Sequence, residues 1–157
     1  MKTMSIRLQV NGKPRVWQVA PGDVLLDVLR REGYAGVKRG CEAGDCGACT
    51  VLLDGLPVDS CMVFAVQADG CEILTIEGLA TNGKLHPLQE AFLDHGATQC
   101  GFCTPGMLLT AKALLDRRPR LTEQEVREAL SGNLCRCTGY VKQVEALLAA
   151  CGRKGDR

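Results

Sequence analysis

The sequence predicts an α+β protein made of two modules, a strand-rich half followed by an all-helical half. Three observations predict it. Two hairpin patterns, each turning at Asn-Gly or Asp-Gly, occupy the first sixty residues. Helix-start signals and helical apolar spacing take over from residue 86. Ten cysteines divide between the halves as two separate sets of four, with two left over.

The elements follow in order. Ile6, Leu8 and Val10 alternate with polar residues, Asn11-Gly12 turns the chain, and Val16-Trp17-Gln18-Val19 returns it. Pro21-Gly22-Asp23 opens a helix, with Asp23 as N-cap and Leu25, Leu26 and Leu29 on its buried face. A glycine-rich loop over residues 40–47 carries cysteines. Thr50-Val51-Leu52-Leu53, then Asp54-Gly55, then Pro57-Val58 reads as a second hairpin, and Ile73-Leu74-Thr75-Ile76 as a last short strand. Two hairpins, one helix and a returning strand suggest a small mixed sheet crossed by a helix, as in the β-grasp fold.

The composition changes after Glu77, and residues 78–84 (GLATNGK) read as a linker. Pro87 stands at the first position of a helix, and His86 before it reads as a cap or surface residue. Thr104-Pro105 starts a second helix, whose Met107, Leu108, Ala111, Leu114 and Leu115 recur at helical spacing until Pro119 stops it. Thr122-Glu123-Gln124-Glu125 is a capping box for a third, ending at Gly132. Gly139-Tyr140 precedes a fourth, with Val144, Leu147 and Leu148 apolar. The polar tail, 152–157, is expected to fray. The domains implied are 1–78 and 86–152.

Composition excludes several function classes. The net charge is +1, from 19 basic and 18 acidic residues well mixed, so no nucleic-acid partner is indicated. The longest apolar run has six residues, far below the ~18 that span a membrane. The opening MKTMSIRLQVNGK has neither the apolar core of an export leader nor a twin arginine, so a cytoplasmic location is expected. Thiols there stay reduced, and ten of them point to metal or catalysis rather than disulfides. There is no GxGxxG after a strand, no phosphate-binding GxxxxGK[ST] and no GxSxG, so the chain shows no substrate site.

Cys41, Cys46, Cys49 and Cys61 read C-x4-C-x2-C-x11-C. The first three match the plant-type [2Fe–2S] spacing, with a fourth cysteine further on. Two irons need two thiolates each, and glycines 40, 44 and 47 let backbone wrap closely around a cluster and aim N–H groups at its sulfurs. Cys100, Cys103, Cys135 and Cys137 read C-x2-C-x31-C-x1-C, each pair at a helix boundary, where the positive helix end favours thiolate. By spacing alone this second set fits either an iron–sulfur cluster or a structural zinc, although Cys-x-Cys is unusual for zinc. Cys71 and Cys151 read as small apolar fillers. A Rieske centre would need two histidines near two cysteines, and His86 and His95 have no such neighbours.

Three motifs, GCEAGDCGACTV (40–51), QCGFCTPGM (99–107) and GNLCRCTGY (132–140), resemble the small iron–sulfur subunit of the molybdenum hydroxylases, the xanthine dehydrogenase, aldehyde oxidoreductase, carbon monoxide dehydrogenase and nicotinate dehydrogenase group. The resemblance runs over roughly residues 4–150. It implies an N-terminal β-grasp plant-type ferredoxin-like domain followed by a C-terminal four-helix bundle, with one [2Fe–2S] cluster in each. It implies partners: a large molybdopterin-binding subunit and a medium FAD-binding subunit, in a heterotrimer or its dimer. It also implies that Gln99 and Cys137 touch the pterin of the large subunit. Electrons would pass from molybdenum through the pterin to the helical-domain cluster, then to the Cys41/Cys46/Cys49/Cys61 cluster, then to FAD or another acceptor, as a purine-like N-heterocycle or an aldehyde is hydroxylated. The family often carries an apolar residue where Gln143 stands, a departure that leaves the ligands untouched. Two other classes stay in view: a stand-alone ferredoxin-like carrier and a zinc adaptor.

Overall fold

The structure, a computed structural model, describes residues 3–151. The expected fraying of the tail lies outside them. β1 (Met4–Val10) and β2 (Lys13–Val19) form the first hairpin, with Ile6 opposite Trp17. Ile6, Leu8 and Val10 are buried and the intervening residues exposed, as period-two patterning requires. β3 (Thr50–Leu53) and β4 (Leu56–Asp59) form the second. β5 (Glu72–Leu74) inserts between the hairpins, parallel to β1 and antiparallel to β3, giving the order β2-β1-β5-β3-β4. The strand expected over 73–76 ends at Leu74. Thr75 turns away because Asn11 holds it: its N–H donates to Asn11 Oδ1 at 2.9 Å.

α1 (Leu25–Arg31) crosses one face of this sheet and buries Leu25, Leu26, Val28 and Leu29 against Ile6, Leu8, Trp17, Val51 and Ile73. Asp23 does not cap it. Val24 occupies the N-cap in extended conformation, bridged to Phe64, and the Leu25 N–H is taken by Val63 O at 2.7 Å. With that donor already satisfied, the Asp23 carboxylate accepts from Ala20 N–H at 3.0 Å and pairs with Arg31 at 3.4 Å.

The second half contains α2 (Pro87–Asp94), α3 (Thr104–Arg117), α4 (Glu123–Leu130) and α5 (Val141–Ala150). Both expected caps are present. His86 Nδ1 accepts from Leu88 N–H at 3.2 Å, and Thr122 Oγ1 accepts from Glu125 N–H at 3.3 Å while Glu125 Oε2 takes the Thr122 N–H at 2.8 Å. α4 stops two residues before Gly132, because Ser131 turns its hydroxyl back to Glu128 O. Leu88, Phe92, Met107, Val126, Leu130 and Leu147 fill the helical core.

The stretch expected as a linker is partly structural. Leu79 is buried in the helical core, with Ile76 packed beside it. A second bond between the halves is apolar: Leu52 on the sheet face away from α1 packs with Leu109 and Ala113 of α3, with Leu74 beside them. Cys71 and Cys151 are half-buried and belong to neither core.

Candidate metal centres

The first candidate set lies on the loop after α1 and at the far end of β4. Backbone amides gather on the outer thiols. Ala43 and Asp45 N–H both donate to Cys41 Sγ at 3.4 Å, and Cys41 N–H donates to Cys46 Sγ at 3.4 Å. The Ala43 and Asp45 amides, with Cys46, bring the exposed Cys41 thiol down to about 7. Cys49 is the opposite case. Burial, then the Cys61 side chain beside it, pushes it up to about 12. Cys41 therefore neighbours Cys46, and Cys49 neighbours Cys61. Gly40 makes room at the outer pair, since a Cβ there would sit 2.6 Å from Cys46 Sγ. Arg39 bridges Asp27 of α1 and Glu42 of the loop, tying the loop to the helix that precedes it.

The second candidate set repeats the arrangement on helix ends. Cys103 is the N-cap of α3, and Cys135-Arg136-Cys137 links α4 to α5. Cys100 interacts with Cys137, and Cys103 with Cys135. The Phe102 amide and the Cys137 side chain lower the Cys100 thiol, while Cys100 raises that of Cys137. Burial pushes Cys103 up to about 12. At Cys135 burial opposes ionisation, but the Thr138 hydroxyl and amide and the Cys137 amide outweigh it and hold the thiol low. Cys100 and Cys137 are exposed, whereas Cys103 is buried and Cys135 half-buried.

The pairing tests which group the thiols fit. Among the described residues no three His, Cys, Asp or Glu side chains converge as a single ion needs. Within each set the nearest thiol neighbours form couples, and in the second set weaker charge interactions also link the couples, Cys100 with Cys135 and Cys103. A structural zinc draws four ligands to one point, whereas two irons bridged by sulfides take one couple each. The donor set and its spacing in pairs fit the two-iron group in both halves.

Four residues of the NLCRCTGY stretch and its sequel do work that the sequence left unassigned. Asn133 is buried and its Nδ2 reaches across to the first loop, donating to Gly47 O at 3.0 Å and Thr50 Oγ1 at 3.2 Å. Tyr140, at φ +65°, accepts from Cys135 N–H at 2.6 Å and donates to Asn133 O at 3.2 Å. Thr138 Oγ1 donates to Cys135 Sγ at 3.1 Å. Gln143 is buried beneath Thr138, with its Nε2 3.0 Å from the Thr138 Oγ1. Polar residues embedded in a cysteine motif were the available signal, but their partners are set only by folding.

The two loops meet directly. Leu134 N–H donates to Cys46 O at 2.9 Å, so the neighbour of a candidate ligand of the second set is hydrogen-bonded to a candidate ligand of the first. Gly47 permits this approach. Its φ is +64°, and a Cβ would lie 2.3 Å from Gly132 O and 2.5 Å from Asn133 Nδ2. Gln99, expected at a partner's pterin, is exposed beside the outer couple Cys100–Cys137. A surface hollow of about 260 Å³ beside α4 and α5 has Arg127 and Tyr140 as its ionisable lining, and the Tyr140 hydroxyl is already spent on Cys135 and Asn133. It supports no acid–base chemistry.

A β-grasp sheet and a helical bundle, each presenting two thiol couples and joined at their cysteine loops, define a two-cluster iron–sulfur protein of electron transfer. Comparison with known proteins agrees and narrows the class. Residues 8–73 match the 2Fe-2S iron-sulfur cluster binding domain, and residues 75–148 match the [2Fe-2S] binding domain. The chain is 53% identical to the nicotinate dehydrogenase small FeS subunit of Eubacterium barkeri, covering 90% of this chain and 91% of that one. It is 48% identical to the xanthine dehydrogenase iron-sulfur-binding subunit of Escherichia coli O157:H7, over 94% of each. It superposes on a chain of quinoline 2-oxidoreductase from Pseudomonas putida 86 with a TM-score of 0.93 at 51% identity, covering 96% of this chain and 95% of that one. The chain belongs to the family of small iron–sulfur subunits of the molybdenum hydroxylases, and its role is electron transfer within an oxidoreductase of several subunits. Among the described residues no helix is long and apolar enough to cross a membrane.

Proposed function

We propose that Cys41, Cys46, Cys49 and Cys61 hold one [2Fe–2S] cluster and Cys100, Cys103, Cys135 and Cys137 the other, in domains spanning 1–78 and 86–152. The observation that carries this reading is the pairing of the eight thiols, Cys41 with Cys46, Cys49 with Cys61, Cys100 with Cys137 and Cys103 with Cys135. When bound, the clusters supply two one-electron carriers for a two-electron oxidation of an N-heterocycle or aldehyde. The partners are a large molybdopterin-binding subunit and a medium FAD-binding subunit, in a heterotrimer or its dimer, and the complex is cytoplasmic.

Exposure distinguishes two faces of the chain for its partners. The exposed couple Cys100–Cys137, with exposed Gln99 beside it, forms the entry side, where Gln99 and Cys137 meet the pterin of the large subunit. The bond from Leu134 N–H to Cys46 O supplies a covalent and hydrogen-bonded route from the Cys135 turn of the second site to the first. Exposed Cys41 marks the exit side towards FAD.

Affinity purification of the full chain from its host, with metal and flavin analysis, tests this. The expected result is about four iron per chain, no stoichiometric zinc, and co-purifying molybdenum- and flavin-bearing chains. A lone 16.9 kDa iron protein without molybdenum or flavin would establish the stand-alone carrier instead. Two zinc per chain would overturn the cluster assignment.

A further inference from the structure

We propose that Gln143 is a positioning residue for the second cluster: it holds the Thr138 hydroxyl so that its proton points at Cys135 Sγ, and thereby raises the reduction potential of that cluster. The inference rests on the proposed ligation by Cys135. Gln143 is 1% exposed, on the first turn of α5. Its Nε2 lies 2.7 Å from Ala97 O and 3.0 Å from Thr138 Oγ1. A carbonyl oxygen only accepts, so Ala97 fixes which end of the amide faces it. Both amide hydrogens are then used, one on Ala97 and one on Thr138. Thr138 Oγ1 must accept from Gln143, which leaves its own hydrogen to donate. Cys135 Sγ, at 3.1 Å, is the acceptor.

The unsatisfied end of the same side chain argues that these donors are what the position uses. Gln143 Oε1 is buried with no hydrogen-bond partner. An orphaned buried oxygen is a cost that an apolar side chain of the same size avoids. Position 143 bears it while both donor hydrogens are engaged. A hydrogen bond to a ligating sulfur spreads the negative charge gained on reduction, so it favours the reduced cluster. Ala97 lies on the turn after α2, so the amide also locks the relay to an element outside the cysteine loops.

The test uses the full chain carrying both clusters, with each midpoint potential followed by EPR redox titration and iron counted per chain. Gln143→Met removes the donors at similar volume, Thr138→Val removes the hydroxyl, and Thr138→Ser restores it. The expected result is a lower midpoint for one cluster in Gln143→Met, a larger drop of the same cluster in Thr138→Val, and recovery in Thr138→Ser. The other cluster stays in place as an internal reference. In the double variant the potential matches that of Thr138→Val alone, because Gln143 acts only through the hydroxyl. An unchanged midpoint in either single variant overturns the relay. So does a further drop when Gln143→Met is added to Thr138→Val, or a Gln143→Met chain that melts early and loses one cluster, which assigns Gln143 to structure alone. A wild-type chain without two cluster signals refutes the ligation reading itself, a distinct failure.

Discussion

Cys41 and Cys49 sit on one loop and ionise in opposite ways. Cys41 is exposed beneath the Ala43 and Asp45 amides, with its thiol at about 7, whereas Cys49 is buried with its thiol at about 12. A thiol of lowered pKa is charged above that value, so in the metal-free chain Cys41 is largely thiolate about one pH unit above neutrality and loses that charge about one unit below it. Brief iodoacetamide labelling followed by peptide mass spectrometry should find Cys41 modified first and Cys49 and Cys103 last. The Cys41 advantage should shrink as pH falls through 7. Labelling of Cys41 and Cys49 at matching rates would contradict the amide cradle. At this scale the candidate ligands were legible because metal chemistry demands thiols at set spacings. Asn133 was not, because its partner Gly47 lies 86 positions away in the chain.

Gly47 is where the first cysteine loop touches the turn after α4. An alanine there would be forced into left-handed backbone and into Gly132 O and Asn133 Nδ2. The left-handed strain and the overpacking together cost roughly 2–4 kcal/mol. Gly47→Ala should therefore lower Tm by ~5–15 °C in calorimetry of the full chain, while Gly55→Ala, which meets nothing within 4 Å, should do much less. Equal effects would locate the cost in backbone strain alone and remove the loop contact from the account. The helix starts at Pro87 and Thr104 are readable from a proline in the first turn, and the one at Thr122 from its capping box, signals that act within three or four residues. α1 starts without the Asp23 cap its sequence suggests, because a distant segment, Val63-Phe64, satisfies the backbone that a cap would serve.

At the level of the whole molecule, the second site turns one thiol couple outward and the other inward. Cys137 is exposed and Cys135 is half-buried beside Cys103. If the outward couple is the entry, Cys137→Ser should slow electron arrival from the large subunit more than Cys135→Ser does. The comparison is made by rapid-mixing spectroscopy of the assembled enzyme, in variants whose iron content and EPR signals show both clusters retained. Equal slowing would leave Cys135-Arg136-Cys137 as a clamp without a preferred side.

Local pattern is enough to specify the two-module order, the hairpins, the four C-terminal helices and the two sets of four cysteines. Each rests on a periodicity, a local cap or a metal spacing, which act over a few residues. Folding sets which thiols pair, that Leu79 belongs to the helical core, that Asn133 and Leu134 bind the other loop, and that Gln143 lies under Thr138. These depend on contacts between segments far apart in the chain. Such contacts exist only once apolar burial has paid the entropy of bringing those segments together.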